Sequence, residues 1–165
     1  MKNPISFFWH AHQSQLYPEL ARLEAQGYVT GRVMEQHTRP DKKVYTISQA
    51  GRAALQHWVT QPPASTPERN ELLLKTYAIW LADPGQAIKL FRVEEDRHRT
   101  RLAQYEQILT QVEQKYGPQV PLDLPYFGDY AALQKGIGYE REYASWCRWM
   151  IEQFEANSHQ KGEEP

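Results

Sequence analysis

Arg39, Lys42 and Lys43 stand close together in a stretch rich in branched residues, and Ser14, Gln15 and Tyr17 open a helix earlier in the chain. Guanidinium and ammonium groups hold phosphate oxygens, while serine, glutamine and tyrosine carry donors and acceptors that can read base edges in the major groove. Residues 30–52 carry Arg32, Arg39, Lys42, Lys43 and Arg52 against Glu35 and Asp41, a surplus of three positive charges in a chain whose net charge is -1. Charge is therefore concentrated where a polyanion would sit. Lys42 and Lys43 are adjacent on a strand, so their side chains point to opposite faces and only one of them meets a groove. Arg39, at the tip of the intervening turn, is the better placed for backbone or minor-groove contact.

Other reactive side chains give weaker patterns. His10 and His12 lie two apart with no third ligand near them in sequence, so capping or turn packing accounts for them and no metal is expected. Cys147 is the only cysteine, which excludes an internal disulfide and reads as a small buried side chain. Glu95 and His98 sit three apart on one helix face, close enough to pair. Three readings stay open for them: a polar lock on dimer register, an effector contact whose charge follows pH, or a seam that opens to solvent there. Trp149, with Tyr139, Tyr143 and Trp146, could wall an aromatic-ligand pocket, although this spacing also suits a core or a dimer interface. No nucleophile elbow, phosphate-cradling glycine loop or metal-ligand cluster is present, so neither an enzyme nor a cofactor is expected.

The elements that must position these residues follow from spacing. Leu16, Leu20 and Leu23 line one face of a helix over residues 14–26 that starts near Gln13 or Ser14, and Gly27 ends it. Pro18 is tolerated if it falls near the first turn, where N–H groups have no helical partner. Two β-type runs, 28–34 and 42–47, flank a polar turn with Pro40 and make a hairpin. Ser48 caps a second helix through Trp58 and Val59, and residues 61–67, with three prolines, form a linker. Beyond it only helices are expected. One covers 68–81 with Leu72, Leu73, Thr76, Ile79 and Trp80 on a broad face, and Asp83 and Pro84 then cap a long helix. Its stripe is Ile88, Phe91, Glu95, His98, Leu102, Tyr105, Leu109, Val112 and Tyr116, a heptad seam. A last helix carries Tyr139, Tyr143, Trp146, Met150 and Phe154. So long a seam has no evident place to be buried within one chain, which points to a homodimer through Phe91, Leu102, Tyr105, Leu109, Val112, Tyr143, Trp146 and Met150.

At 165 residues the chain suits one domain or two small ones. With 41% hydrophobic residues and a mean hydropathy of -0.74 it has no room for a membrane span, and the expectation is a cytoplasmic protein. The acidic end, Glu163 and Glu164, reads as a disordered tail.

Helix, basic hairpin, helix is the back half of a winged helix-turn-helix. The residues add a resemblance. The block from Phe7, Phe8 and Trp9 through Ser14, Gln15, Leu16, Tyr17, Pro18 and Glu19, then Leu23, Glu24 and Gly27, then Arg39, Pro40, Asp41, Lys42 and Lys43 with Tyr45, Ile47 and Gly51, resembles the signature of the PadR family. Asn70, Glu71 and the three leucines that follow, with Gly136, Ile137, Gly138, Tyr139, Glu140, Trp146 and Trp149, resemble that family's virulence-activator-like C-terminal domain.

The resemblance implies a mainly α fold: a winged helix-turn-helix with a two-stranded wing over residues 1–60, a linker over 61–67, a long-helix dimerisation and effector domain over 68–157, and the tail over 158–165. It implies a ligand-responsive repressor that binds a palindromic double-stranded operator as a homodimer, with residues 14–26 as recognition helix and 29–47 as wing. A phenolic or other aromatic effector enters by resemblance alone. Family members carry a helix and most of a second before the Phe-Trp block, so the N-terminus is expected to be cut short. The alternative expectation is a truncated dimerisation module that modulates full-length relatives without binding DNA well itself.

Overall fold

A computed structural model of the chain describes residues 13–35, 41–65 and 69–161. The chain divides into two units, Met1–Glu68 and Arg69–Pro165. In the first, α1 spans Gln13–Ala25, β1 Val29–Met34, β2 Lys42–Ile47 and α2 Gln49–Trp58. In the second, α3 spans Glu71–Thr76, a 3-10 turn Ile79–Leu81, α4 Pro84–Tyr116 and α5 Phe127–Lys161.

The first unit is held together by its junctions. Gly27 has φ of 74°, a left-handed conformation that glycine adopts without a Cβ clash, and α1 ends there. The Gly27 N–H donates to the Glu24 carbonyl at 3.0 Å and the Tyr28 N–H to the Leu23 carbonyl at 2.9 Å, the paired bonds of a Schellman stop. The chain reverses directly into β1, which pairs antiparallel with β2 from Val29 opposite Ile47 to Met34 opposite Lys42. Ser48 then ties three elements. Its N–H donates to the Tyr28 carbonyl at 2.9 Å, its hydroxyl donates to the Gly27 carbonyl at 2.6 Å, and its Oγ accepts the Gly51 N–H at 3.0 Å as cap of α2.

Pro18 departs from expectation. It is the sixth residue of α1, past the four N–H groups that need no helical partner, so the Ser14 carbonyl loses its helical donor.

In the second unit Asn70 caps α3, its Oδ1 accepting the Leu73 N–H at 3.0 Å, and its amide donates to the Tyr143 hydroxyl at 3.1 Å. That fastens α3 to α5. The single helix expected over 68–81 is instead broken after Thr76: Tyr77 closes α3 and Ile79–Leu81 is a 3-10 turn. Leu72 and Ile79 pack against the core, whereas Leu73 and Trp80, placed on the same face by the helical spacing, are exposed. Asp83 caps α4 through the Gln86 N–H at 2.9 Å, with Pro84 in the first turn as expected.

The heptad seam is covered from within the chain over Phe91, Glu95 and His98, while Leu102, Tyr105, Leu109 and Val112 stay half-buried. α4 and α5 pack lengthwise on each other, and Ala87, Phe91, Glu95 and His98 of α4 are buried along with Ile137, Glu140, Ala144, Cys147, Met150 and Ile151 of α5. The α5 spacing of 137, 140, 144, 147 and 151 is itself a heptad stripe, set beside the aromatic stripe of Tyr139, Tyr143, Trp146, Met150 and Phe154. Phe91 is 0% exposed, meeting Trp146 edge-on at 5.7 Å and stacking on Phe154 at 6.4 Å between ring centroids. α5 runs to Lys161, four residues into the stretch expected to be a disordered tail.

Candidate nucleic-acid interface

Ser14, Gln15 and Tyr17 all lie on the exposed beginning of α1, and Tyr17 leaves 68% of its surface open. One hydroxyl, one amide and one phenol thus share a single helix turn. Arg39, with His10, His12 and the Phe-Trp block, lies outside the described residues.

The hairpin separates its two lysines. The register puts Gly31, Val33, Lys43 and Tyr45 on one face, and Thr30, Arg32, Lys42 and Thr46 on the other. Lys43 faces α1: its Nζ lies 2.6 Å from Glu24 Oε2 and 5.0 Å from the centroid of Tyr45. Lys43 is therefore the member of the pair that is held by a carboxylate of its own chain. Lys42 and Arg32 are exposed together on the opposite face. Arg32 stands out in the sequence only as one charge among several, and it is the cross-strand register, with Arg32 opposite Val44 and Met34 opposite Lys42, that puts it on the face of Lys42.

The hydrogen bond from Lys43 holds the Glu24 carboxyl below its usual value, and the same bond holds Lys43 above its own. A lowered carboxyl contributes at all pH above its unfolded value and fails as pH falls through the folded one. A raised amine contributes below its unfolded value and fails as pH rises through the folded one. The link thus spans the whole neutral range.

In the second unit the polar residues of the seam are buried, so the reading of a solvent-open seam does not hold, and Glu95 and His98 do not pair with each other. Glu95 Oε1 accepts from Arg99 Nε at 2.7 Å on its own helix and from Arg148 Nε and Nη2 on α5 at 3.0 and 2.9 Å. His98 Nδ1–H donates to Glu140 Oε2 of α5, and Arg101 Nη1 donates to Glu140 Oε1 at 3.1 Å. The His98 ring also stacks on Tyr143 at 4.0 Å between centroids. Each helix contributes one buried carboxylate that is held by an arginine of the other. Glu140, Arg101 and Arg148 are not legible as partners in the sequence, because nothing local marks them.

Of the residues expected at a dimer interface, Phe91 and Met150 are enclosed by their own chain, while Leu102, Tyr105, Leu109, Val112, Tyr143 and Trp146 are half-buried. Large apolar side chains are exposed in and just after α3: Leu73, Leu74, Tyr77 and Leu81 with Trp80, the tyrosine 83% and the tryptophan 77% exposed. Trp149 is exposed on α5. Burial pushes the Cys147 thiol up to about 11, so it is an inert packing group at neutral pH. Among the described residues no group of three or more histidine, cysteine or acidic side chains could hold a metal ion, and no helix is long and apolar enough to cross a membrane.

Residues 1–57 match the transcriptional regulator PadR-like family, and residues 68–155 match the virulence activator alpha C-terminal family. The negative transcriptional regulator PadR of Bacillus subtilis (strain 168) is 31% identical over 155 residues, covering 91% of this chain and 82% of that protein. The crystal structure of Bacillus subtilis PadR in complex with operator DNA is similar with a TM-score of 0.83 at 28% identity, over 93% of this chain and 85% of that one. The structure of the same protein in complex with p-coumaric acid is similar with a TM-score of 0.76 at 28% identity, over the same shares of the two chains. These relatives are regulators. The chain belongs to the PadR-like family of transcriptional regulators, as a winged-helix, DNA-binding protein and not an enzyme.

Proposed function

We propose that the chain is a repressor that binds a palindromic operator as a homodimer and releases it when a small aromatic acid binds. The observation that carries the reading is the pairing of an exposed polar helix start at Ser14, Gln15 and Tyr17 with an exposed cationic wing face at Arg32 and Lys42. α1 enters the major groove, where Gln15 reads a base edge and Ser14 and Tyr17 orient the helix. The wing rests on phosphates, and Arg39, between the two strands in sequence, is a further candidate for such a contact. Residues 1–60 form the reading head, 61–67 the linker, and 68–157 the dimerisation and effector region.

The homodimer draws support from the exposed Leu73, Leu74, Tyr77, Trp80 and Leu81 and from the half-buried Leu102, Tyr105, Leu109 and Val112. Apolar side chains this exposed would gain by burial against a second copy. The effector draws support from the p-coumaric acid complex of the Bacillus subtilis relative. Its action follows from geometry: half-sites one turn apart lie about 34–36 Å from each other, so a ligand that alters head spacing weakens binding.

In a gel-shift titration, Arg32→Met with Lys42→Met weakens binding to every sequence alike and lowers the slope of log affinity against log salt by about 0.9 for each phosphate no longer neutralised. Gln15→Ala instead changes which sequence is preferred. Wild-type affinity and slope in the double variant would remove the wing from the interface.

A further inference from the structure

We infer that Glu24 and Lys43 form a strut that fixes the angle between recognition helix and wing, so that Lys43 is a positioning residue for DNA binding and not a phosphate ligand. This rests on the DNA-binding reading above and assigns the regulation of its geometry to two residues.

Glu24 lies in the last turn of α1, and each of its oxygens holds a different strand. Oε1 accepts the Gly31 N–H of β1 at 3.0 Å, and Oε2 accepts the Lys43 ammonium of β2 at 2.6 Å. The Gly31 amide is thereby bound to α1 and not to the partner strand. A helix carboxylate that grips both strands of a hairpin resists rotation of the wing about its base, which a single bond would not. The backbone ties between these elements lie at the hairpin's foot, around Gly27, Tyr28 and Ser48.

Gly31 makes the strut fit. A Cβ at that position would lie 2.3 Å from Lys43 Cε and 2.6 Å from Glu24 Oε1, so the lysine stem crosses the space that any other residue would fill. Lys43 then ends above the Tyr45 ring, a second attraction that holds it on the α1 side of the hairpin. Reaching a phosphate on the Lys42 side would require it to leave both partners.

The two roles for Lys43 predict opposite results. If Glu24 merely occupied a phosphate-binding lysine, Glu24→Ala would free that lysine, remove a negative charge near DNA and tighten binding. A strut predicts that Glu24→Ala weakens binding, about tenfold for a wing that must be ordered on the DNA.

The experiment measures affinity over a range of salt for the full chain and its variants Glu24→Ala, Lys43→Met, Lys42→Met and the Glu24→Ala, Lys43→Met double. Lys43→Met is expected to weaken binding with the wild-type slope, and the double variant to be no weaker than either single one. Lys42→Met is expected to lower the slope by about 0.9. A fall in slope for Lys43→Met, or tighter binding by Glu24→Ala, overturns the inference.

Hydrogen exchange of the Gly31 amide in the free protein supplies a readout that needs no DNA. It should quicken in Glu24→Ala and in Lys43→Met while the Thr30 and Arg32 amides change less, and unchanged Gly31 exchange also overturns the strut. Failure of every form to bind DNA would instead strike the DNA-binding reading, leaving the exchange result to decide the strut.

Discussion

Replacing Arg99 and Arg148 together by methionine is expected to destabilise the Arg69–Pro165 unit by about 3–5 kcal/mol, the penalty of leaving a buried charge without its partners. Glu95 is 2% exposed, and these two guanidinium groups are its cations, one from α4 and one from α5. Adding Glu95→Met to the pair should recover most of the loss. The arginines themselves are about half exposed, so freeing them to water carries little penalty, and an apolar side chain of similar length fits the seam. Urea unfolding followed by circular dichroism measures both variants. If the triple variant were no more stable than the double one, the carboxylate would not be the origin of the loss.

Gly51→Ala is expected to loosen the reading head by about 3 kcal/mol, the upper part of the range for an overpacked site. An alanine Cβ there would lie 2.1 Å from the Tyr28 carbonyl oxygen, which is backbone and already accepts the Ser48 N–H. Relief requires α2 to move off the foot of the hairpin, breaking the junction that Ser48 holds. Gly138→Ala is the contrasting case. Nothing lies within 4 Å of a Cβ at that position in α5, so the substitution should stabilise by about 0.5–1 kcal/mol through helix propensity alone. Hydrogen exchange at β1 and β2 distinguishes the two: fast exchange in Gly51→Ala, unchanged exchange in Gly138→Ala. Wild-type protection of the hairpin in Gly51→Ala would show that the close approach is not needed.

These positions also mark what could be read from sequence. As helix caps and stops, Gly27, Ser48, Asp83 and Pro84 act on backbone groups within a few residues of themselves, so their residue types alone announce where helices end and begin. The failure at Tyr77 has the same origin in reverse: residues 77–81 contain no glycine or proline to signal a break. The seam of α4 shows a deeper limit. A spacing of three and four states that a helix has an apolar side but not whose side chains cover it, and over Phe91 to His98 they come from α5 of the same chain.

Charge reversed the usual inference twice. Glu95 and Glu140 lie in a buried stripe because arginines 53 and 39 residues away reach them, a pairing that local periodicity cannot contain. Strand alternation shows that Lys42 and Lys43 diverge, and only the position of Glu24 on α1 settles which one turns inward. The placement of Ser14, Gln15 and Tyr17 at the exposed start of one helix was legible, because helical spacing alone sets it.

Selection of bound sequences from a random double-stranded DNA pool, with the mass of the bound complex determined by light scattering, tests the central claim most directly. A repressor of this kind should enrich an inverted repeat whose half-site centres lie a whole number of helical turns apart, at about 34–36 Å for one turn, with two chains on each site. A pool that remains as random as it began, or a single unrepeated site occupied by one chain, would contradict it.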